Sequence, residues 1–146
     1  MIELVAMSAS NSDPEPRAPR TEHHRILIVE DSEDVRELLV ECLQSLGHEV
    51  FSAADGSGGA ERFAAVQPDI ALVDVGLPDI DGYELARRIR AQPGGSRAHL
   101  VAVTGYGGAE VKREAELAGF DVHLTKPIDI QGLNAVLTAY SAGRRA

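Results

Sequence analysis

Five side chains of this 146-residue sequence are of types that together could manage a phosphoryl group. They are the carboxylates Glu30, Asp31 and Asp74, the hydroxyl Thr104 and the ammonium Lys126. A carboxylate beside a hard divalent cation can act as a nucleophile toward phosphorus and form an acyl phosphate. The cation and an ammonium would hold the charge on the transferring oxygens, and a hydroxyl could donate to one of them. Taken singly, each residue has an ordinary explanation. Asp31 or Ser32 could cap a helix, Asp74 a turn; Thr104 could be a β-former and Lys126 a surface cation. Taken jointly, three acids gathered at one place destabilise a fold unless something compensates, and one lysine does not neutralise three carboxylates. Magnesium is the natural compensator, because it takes oxygen ligands, few of them from protein, and fills the remainder with water.

The elements that must position these groups follow from the apolar pattern. Strand-type runs occur at 25–29 (RILIV), 49–53 (EVFSA), 70–74 (IALVD), 99–104 (HLVAVT) and 122–125 (VHLT). Between them lie helical segments at 33–46, stopped by Gly47, then 56–66, 82–90 entered from Asp81, 109–118, and 129–141 with Asp129 as N-cap. Five strands alternating with five helices call for a parallel sheet with helices on both faces. Continuous rather than alternating apolar runs agree with burial on both sides, and crossovers should be right-handed. Ligands of such sheets bind at the carboxyl ends of the strands, which is where all five chemical residues stand. Glycine at 76 and 82 allows close backbone approach in the connection after Asp74, and Pro78 fixes its turn.

Composition narrows the remaining classes. A net charge of −9 argues against nucleic acid, whose only basic footprint here would be GRR at 143–145. With 44% hydrophobic residues the chain can build one core, and no apolar run approaches a membrane span. The opening MIELVAM is too short and too acidic for a secretory signal, so a cytoplasmic protein is expected. Residues 1–24, rich in Pro, Ser and charge, read as a flexible extension, with His23 and His24 as its solvated end. The single cysteine, Cys42, falls on the stripe Val35, Leu38, Leu39, Cys42, Leu43, Leu46 and is expected to pack in the core.

At these residues the chain resembles the receiver domain of bacterial two-component response regulators. The resemblance rests on ILIVEDSEDVRELL, DIALVDVGLPDIDGYELARRIR, VAVTGYG and GFDVHLTKPID. The separations are 43 residues from Asp31 to Asp74, 30 to Thr104 and 22 to Lys126. It covers residues 25–141, leaving 142–146 as a short tail, and its phrasing is closest to receivers of hybrid sensor kinases. It implies a flavodoxin-like (βα)5 fold with strand order 2-1-3-4-5. Asp74 would be the phosphoacceptor, fed by a sensor histidine kinase or a histidine phosphotransfer protein. Asp31 would bind Mg2+ directly, Glu30 mainly through water, and the Gly76 carbonyl would be a further ligand. Lys126 would pair with the phosphoryl group, with a cis bond to Pro127. Thr104 would move toward the phosphoryl group and reshape the face of the fourth helix and fifth strand, a population shift rather than enzymatic turnover.

Two positions depart from the common pattern. His123 stands where Tyr or Phe often serves as the switch, and packs less, so weaker coupling from Thr104 to the output face is expected. Gly76 stands where a larger side chain is frequent, leaving the phosphoryl group open to water. Tyr106 is either a partial shield on the other flank or a surface ring. Only AGRRA follows the last helix, so output by docking to a kinase, a phosphotransfer protein or a target is expected, as monomer or phosphorylation-dependent dimer. A flavodoxin-like flavin carrier fits poorly, because EDSED would repel phosphate. A haloacid-dehalogenase-type phosphatase would need an acid at Gly76. The remaining alternative is a receiver-fold binding module that acts without phosphorylation.

Overall fold

The computed structural model describes residues 23–145, with side chains through Ser141. Its elements are β1 (Arg25–Val29), α1 (Glu33–Ser45), β2 (Glu49–Ala53), α2 (Gly56–Val66), β3 (Ile70–Asp74), α3 (Gly82–Ala91), β4 (His99–Thr104), α4 (Ala109–Ala118), β5 (Val122–Thr125) and α5 (Ile130–Arg145). The strands form one sheet in the order β2-β1-β3-β4-β5, every pair parallel, as the alternating pattern and the resemblance implied.

Successive strand residues point to opposite faces, so each continuous apolar run feeds two cores. Leu27, Val29, Ala71, Val73, Leu100 and Ala102 meet Phe63 of α2, Leu85 and Ile89 of α3, and Ala115 of α4 on one side. Ile26, Ile28, Ile70, Leu72 and Val101 meet Leu39 and Leu43 of α1 and Leu133 and Leu137 of α5 on the other. Each fully buried Leu or Ile contributes about 1.5–3 kcal/mol, which makes the sheet a rigid platform for its carboxyl edge.

Three expectations need correction. The apolar stripe of α1 is turned from the one expected. Val35, Leu38 and Leu46 are exposed at 38%, 60% and 40%, and Cys42 is only half-buried. The face that packs is Leu39, Val40 and Leu43, with Arg36 one turn before, and it lies against β1 and β2. His24, expected to be solvated, is buried. Its Nε2 lies 2.7 Å from Ser141 Oγ, its backbone N–H donates to His48 Nδ1, and its ring stacks on His48. His23 is exposed, as expected, and the rest of the 1–24 extension lies outside the described residues. Finally, α5 does not stop at 141 but continues to Arg145, since Gly143 costs the helix only about 1 kcal/mol and no proline interrupts AGRR. Its start is as expected, with Asp129 Oδ1 accepting from Gly132 N–H at 2.6 Å. Among the described residues no helix is long and apolar enough to cross a membrane.

Candidate functional site

The sheet register brings the chemical residues together. Val29 pairs with Val73, Asp74 with Val103 and Thr104 with Thr125, so β1, β3, β4 and β5 end almost level. Glu30, Asp74 and Thr104 are all buried at that edge, while Asp31 is exposed. One oxygen from each of Glu30, Asp31 and Asp74 lies within 4.8 Å of the others. Lys126 Nζ sits 3.2 Å from Asp74 Oδ2 and 3.6 Å from Glu30 Oε1. Its backbone N–H donates to Thr104 O at 2.7 Å, and the Lys126–Pro127 bond is cis. Thr104 Oγ1 accepts from Tyr106 N–H at 3.1 Å.

Local chemistry holds the two buried acids, Glu30 and Asp74, in place. Glu30 Oε2 accepts from Ser32 N–H at 3.0 Å, and Ser32 Oγ caps α1 through Val35 N–H. Asp74 Oδ1 accepts from Gly76 N–H at 3.0 Å, while Val75 N–H continues the ladder to Val103 O. The chain then turns into α3, whose N-cap Asp81 accepts from Glu84 N–H at 2.8 Å. Gly82 packs on the backbone of the acid-bearing strand end, where a Cβ would lie 2.6 Å from Val75 Cα and 2.8 Å from Asp74 O. Only glycine closes this turn. At Gly76, by contrast, a Cβ would meet only Asp74 Oδ1, at 3.8 Å.

The model of the response regulator receiver domain matches residues 26–138. The chain belongs to this family. It is similar to the sensor histidine kinase AtsR of Burkholderia thailandensis, 31% identical over 142 residues that cover 94% of this chain and 23% of that protein. The receiver chain thus spans less than a quarter of the length of the sensor kinases it matches. It is also similar to sporulation initiation phosphotransferase F of Bacillus subtilis, 30% identical and covering 81% of this chain and 94% of that protein. Among solved structures, the receiver domain of a sensor histidine kinase of Pseudomonas aeruginosa, with magnesium in its active-site cleft, matches with a TM-score of 0.75 and 30% identity. That match covers 83% of this chain and 99% of the other.

The electrostatics of this receiver suit a hard cation. Burial, then the nearby Asp74 charge, pushes the Glu30 carboxyl above its ordinary 4.5, against the opposing pull of the Ser32 N–H and Lys126. Burial pulls the Lys126 ammonium down, but its hydrogen bond to Asp74 and the charges of Asp74 and Glu30 outweigh this and leave it raised. Glu30 and Asp74 share the Lys126 ammonium, and with Asp31 they offer three carboxylate oxygens, the donor type magnesium prefers.

Glu30, Asp31, Asp74, Thr104 and Lys126 therefore converge as the sequence predicted, and Gly76 lies beside Asp74. Tyr106 resolves as a surface ring, 77% exposed. His123 is half-buried on β5, its Nε2 buried without a hydrogen-bond partner at the seam between α4 and β5. Two contributors were missed. Arg36 Nη1 reaches back from α1 to Glu30 O at 2.8 Å. Asp79 accepts from Gly56 and Ser57 N–H at the start of α2. For Asp79 a signal existed: the first turn of α2, GSGG, carries no acid of its own.

Proposed function

We propose that this receiver takes a phosphoryl group on Asp74 from the phosphohistidine of a sensor kinase or a phosphotransfer protein, and signals or relays through its docking surface. The observation that carries this reading is the convergence of three carboxylates within 4.8 Å with Lys126 at 3.2 Å from Asp74. An Asp74 carboxylate oxygen attacks phosphorus. The P–N bond of the donor breaks, its electron pair stays on the imidazole nitrogen, and that nitrogen takes up a proton. The products are an aspartyl phosphate and a neutral histidine.

Glu30, Asp31, Asp74 and the Gly76 carbonyl are the residues that would hold Mg2+. When bound, the ion neutralises charge on the phosphoryl oxygens. Lys126, already within hydrogen-bond distance of Asp74, would hold charge on the phosphoryl group as well. Thr104 Oγ1 accepts from Tyr106 N–H, which leaves its own hydroxyl hydrogen to be donated to a phosphoryl oxygen. Its movement would be felt at the seam of α4 and β5, where His123 replaces the larger aromatic ring. The domain promotes only its own phosphorylation and dephosphorylation, acts in the cytoplasm, and turns over no separate substrate.

Incubation with acetyl phosphate, followed by intact-mass measurement, tests this reading. The native chain should gain one phosphoryl mass in Mg2+ and none in EDTA, and Asp74→Asn should gain none. A binding partner held equally well by Asp74→Ala, with no mass gain in the native chain, would favour a module that works without phosphorylation.

A further inference from the structure

Asp79 lies in the connection between β3 and α3, five residues beyond Asp74. Its Oδ1 accepts from Gly56 N–H at 2.7 Å and its Oδ2 from Ser57 N–H at 2.9 Å. Asp55, the N-cap of α2, accepts from Gly58 N–H at 2.7 Å. The first three helical N–H groups, which have no partner inside the helix, are thus filled by two aspartates. One of them comes from a distant connection rather than from α2 itself.

The sequence explains the need. Gly56, Ser57, Gly58 and Gly59 make a poor first turn, and apart from the N-cap Asp55 α2 has no acid of its own there to complement its dipole. The glycines are required by packing instead. A Cβ at Gly56 would strike Ile80, and one at Gly59 would lie 2.9 Å from Val29 Cγ2. The Ser57 and Gly56 N–H bonds hold the Asp79 carboxyl well below the usual carboxylate range.

The clamp also works on the connection that carries it. Gly76 is tied to Asp74 Oδ1 at the strand end, and Leu77 is buried in the core. Beyond them, Asp79 on α2 and Ile80 over Gly56 form the next anchor. Residues 76–78 are therefore strung between β3 and α2, and the direction of the Gly76 carbonyl depends on both ends.

We propose that Asp79 is a positioning residue whose hold on α2 fixes the Gly76 carbonyl and thereby sets the affinity of the Glu30–Asp31–Asp74 site for magnesium. This rests on the reading of the site given above. Calorimetric titration of Mg2+ into the full chain, with urea unfolding and acetyl phosphate uptake on the same samples, tests it. Asp79→Ala should weaken Mg2+ binding by about 3- to 10-fold, at or below the loss typical of a group bonded directly to a metal ligand. Asp79→Asn, which keeps one acceptor oxygen, should fall between. Phosphoryl uptake at saturating Mg2+ should stay within about twofold of native, because the residue acts on binding and not on the transfer step.

Native Mg2+ affinity in both variants, with lowered stability, would overturn the proposal and reduce Asp79 to a helix cap. Should Asp79→Ala fail to fold, Asp79→Asn decides by the same comparison. A native chain that neither binds Mg2+ nor takes up phosphate would instead overturn the reading of the site, and this inference with it.

Discussion

Replacing Glu30 by glutamine should stabilise the metal-free protein. At an effective dielectric constant of about 20, Lys126 at 3.6 Å attracts the Glu30 carboxylate by about 4.6 kcal/mol. Asp74, with an oxygen no more than 4.8 Å away, repels it by at least about 3.5 kcal/mol. Asp31 repels it over the same span, but solvent exposure cuts that to about 1 kcal/mol. The pair energies nearly cancel. What remains is the desolvation of a carboxylate that is only 3% exposed, several kcal/mol, offset in part by the Ser32 N–H bond worth about 1.5–3 kcal/mol.

The sign agrees with the raised Glu30 pKa. A group raised in the folded state favours folding below its ordinary 4.5 and loses that contribution as pH rises through the folded value, so at pH 7 the ionised form weighs against the fold. Glutamine keeps an oxygen for Ser32 and carries no charge. Urea unfolding at pH 7 in EDTA should therefore show Glu30→Gln more stable than native by about 1 kcal/mol. In Mg2+ at tenfold its Kd the native chain gains about 1.4 kcal/mol and the variant less, so the gap narrows or inverts. A variant less stable than native in EDTA would refute the reasoning, because the hydrogen bond and the lysine pair would then outweigh desolvation.

Gly82→Ala should cost about 2–3 kcal/mol in urea unfolding, since its Cβ meets backbone that cannot yield; native-like stability would contradict that packing. Stability should also fall as pH drops below 6.5. Burial, then His24 and His23, pushes the His48 pKa down, and burial does the same at His99, so the unfolded chain binds protons there that the folded chain refuses. His48→Asn, which keeps an acceptor and cannot charge, should flatten that slope between pH 7 and 5, and an unchanged slope would exclude His48 as its source. Gly76→Met should slow loss of the phosphoryl group by about threefold, equivalent to about 0.7 kcal/mol of barrier, read from the decay of the phosphorylated mass. An unchanged lifetime would show that the bare flank does not admit the attacking water.

The three central strands are legible because each is an apolar run bounded by turn residues and buried on both faces, whereas the half-buried edge strands EVFSA and VHLT are legible by their β-formers and their place between two helices. The site was legible for the same reason: a parallel sheet gathers whatever stands at its strand ends, so Glu30, Asp74, Thr104 and Lys126 converge by topology alone. The burial of α1 was not. Of the expected stripe only Leu39 and Leu43 are buried, joined by Val40, because the helix packs across β1 and β2 with that edge of the stripe and turns Val35, Leu38 and Leu46 to the surface. The burial of His24 is not legible because what buries it is distant in sequence: His48 is 24 residues away and Ser141 is 117. Asp79 is legible only in part: the acid-free first turn of α2 points to a missing partner, but that partner lies 23 and 22 residues beyond Gly56 and Ser57 on a different element.

The chemical identity of the acceptor is the most direct test. Borohydride reduces an acyl phosphate to an alcohol, so a phosphorylated aspartate becomes homoserine and can be placed by peptide mass mapping. After treatment of the native chain with acetyl phosphate and Mg2+, homoserine should appear at position 74, and Glu30 and Asp31 should remain unreduced. Reduction at another acid, or at none although a phosphoryl mass was gained, would contradict the assignment of Asp74 as the nucleophile.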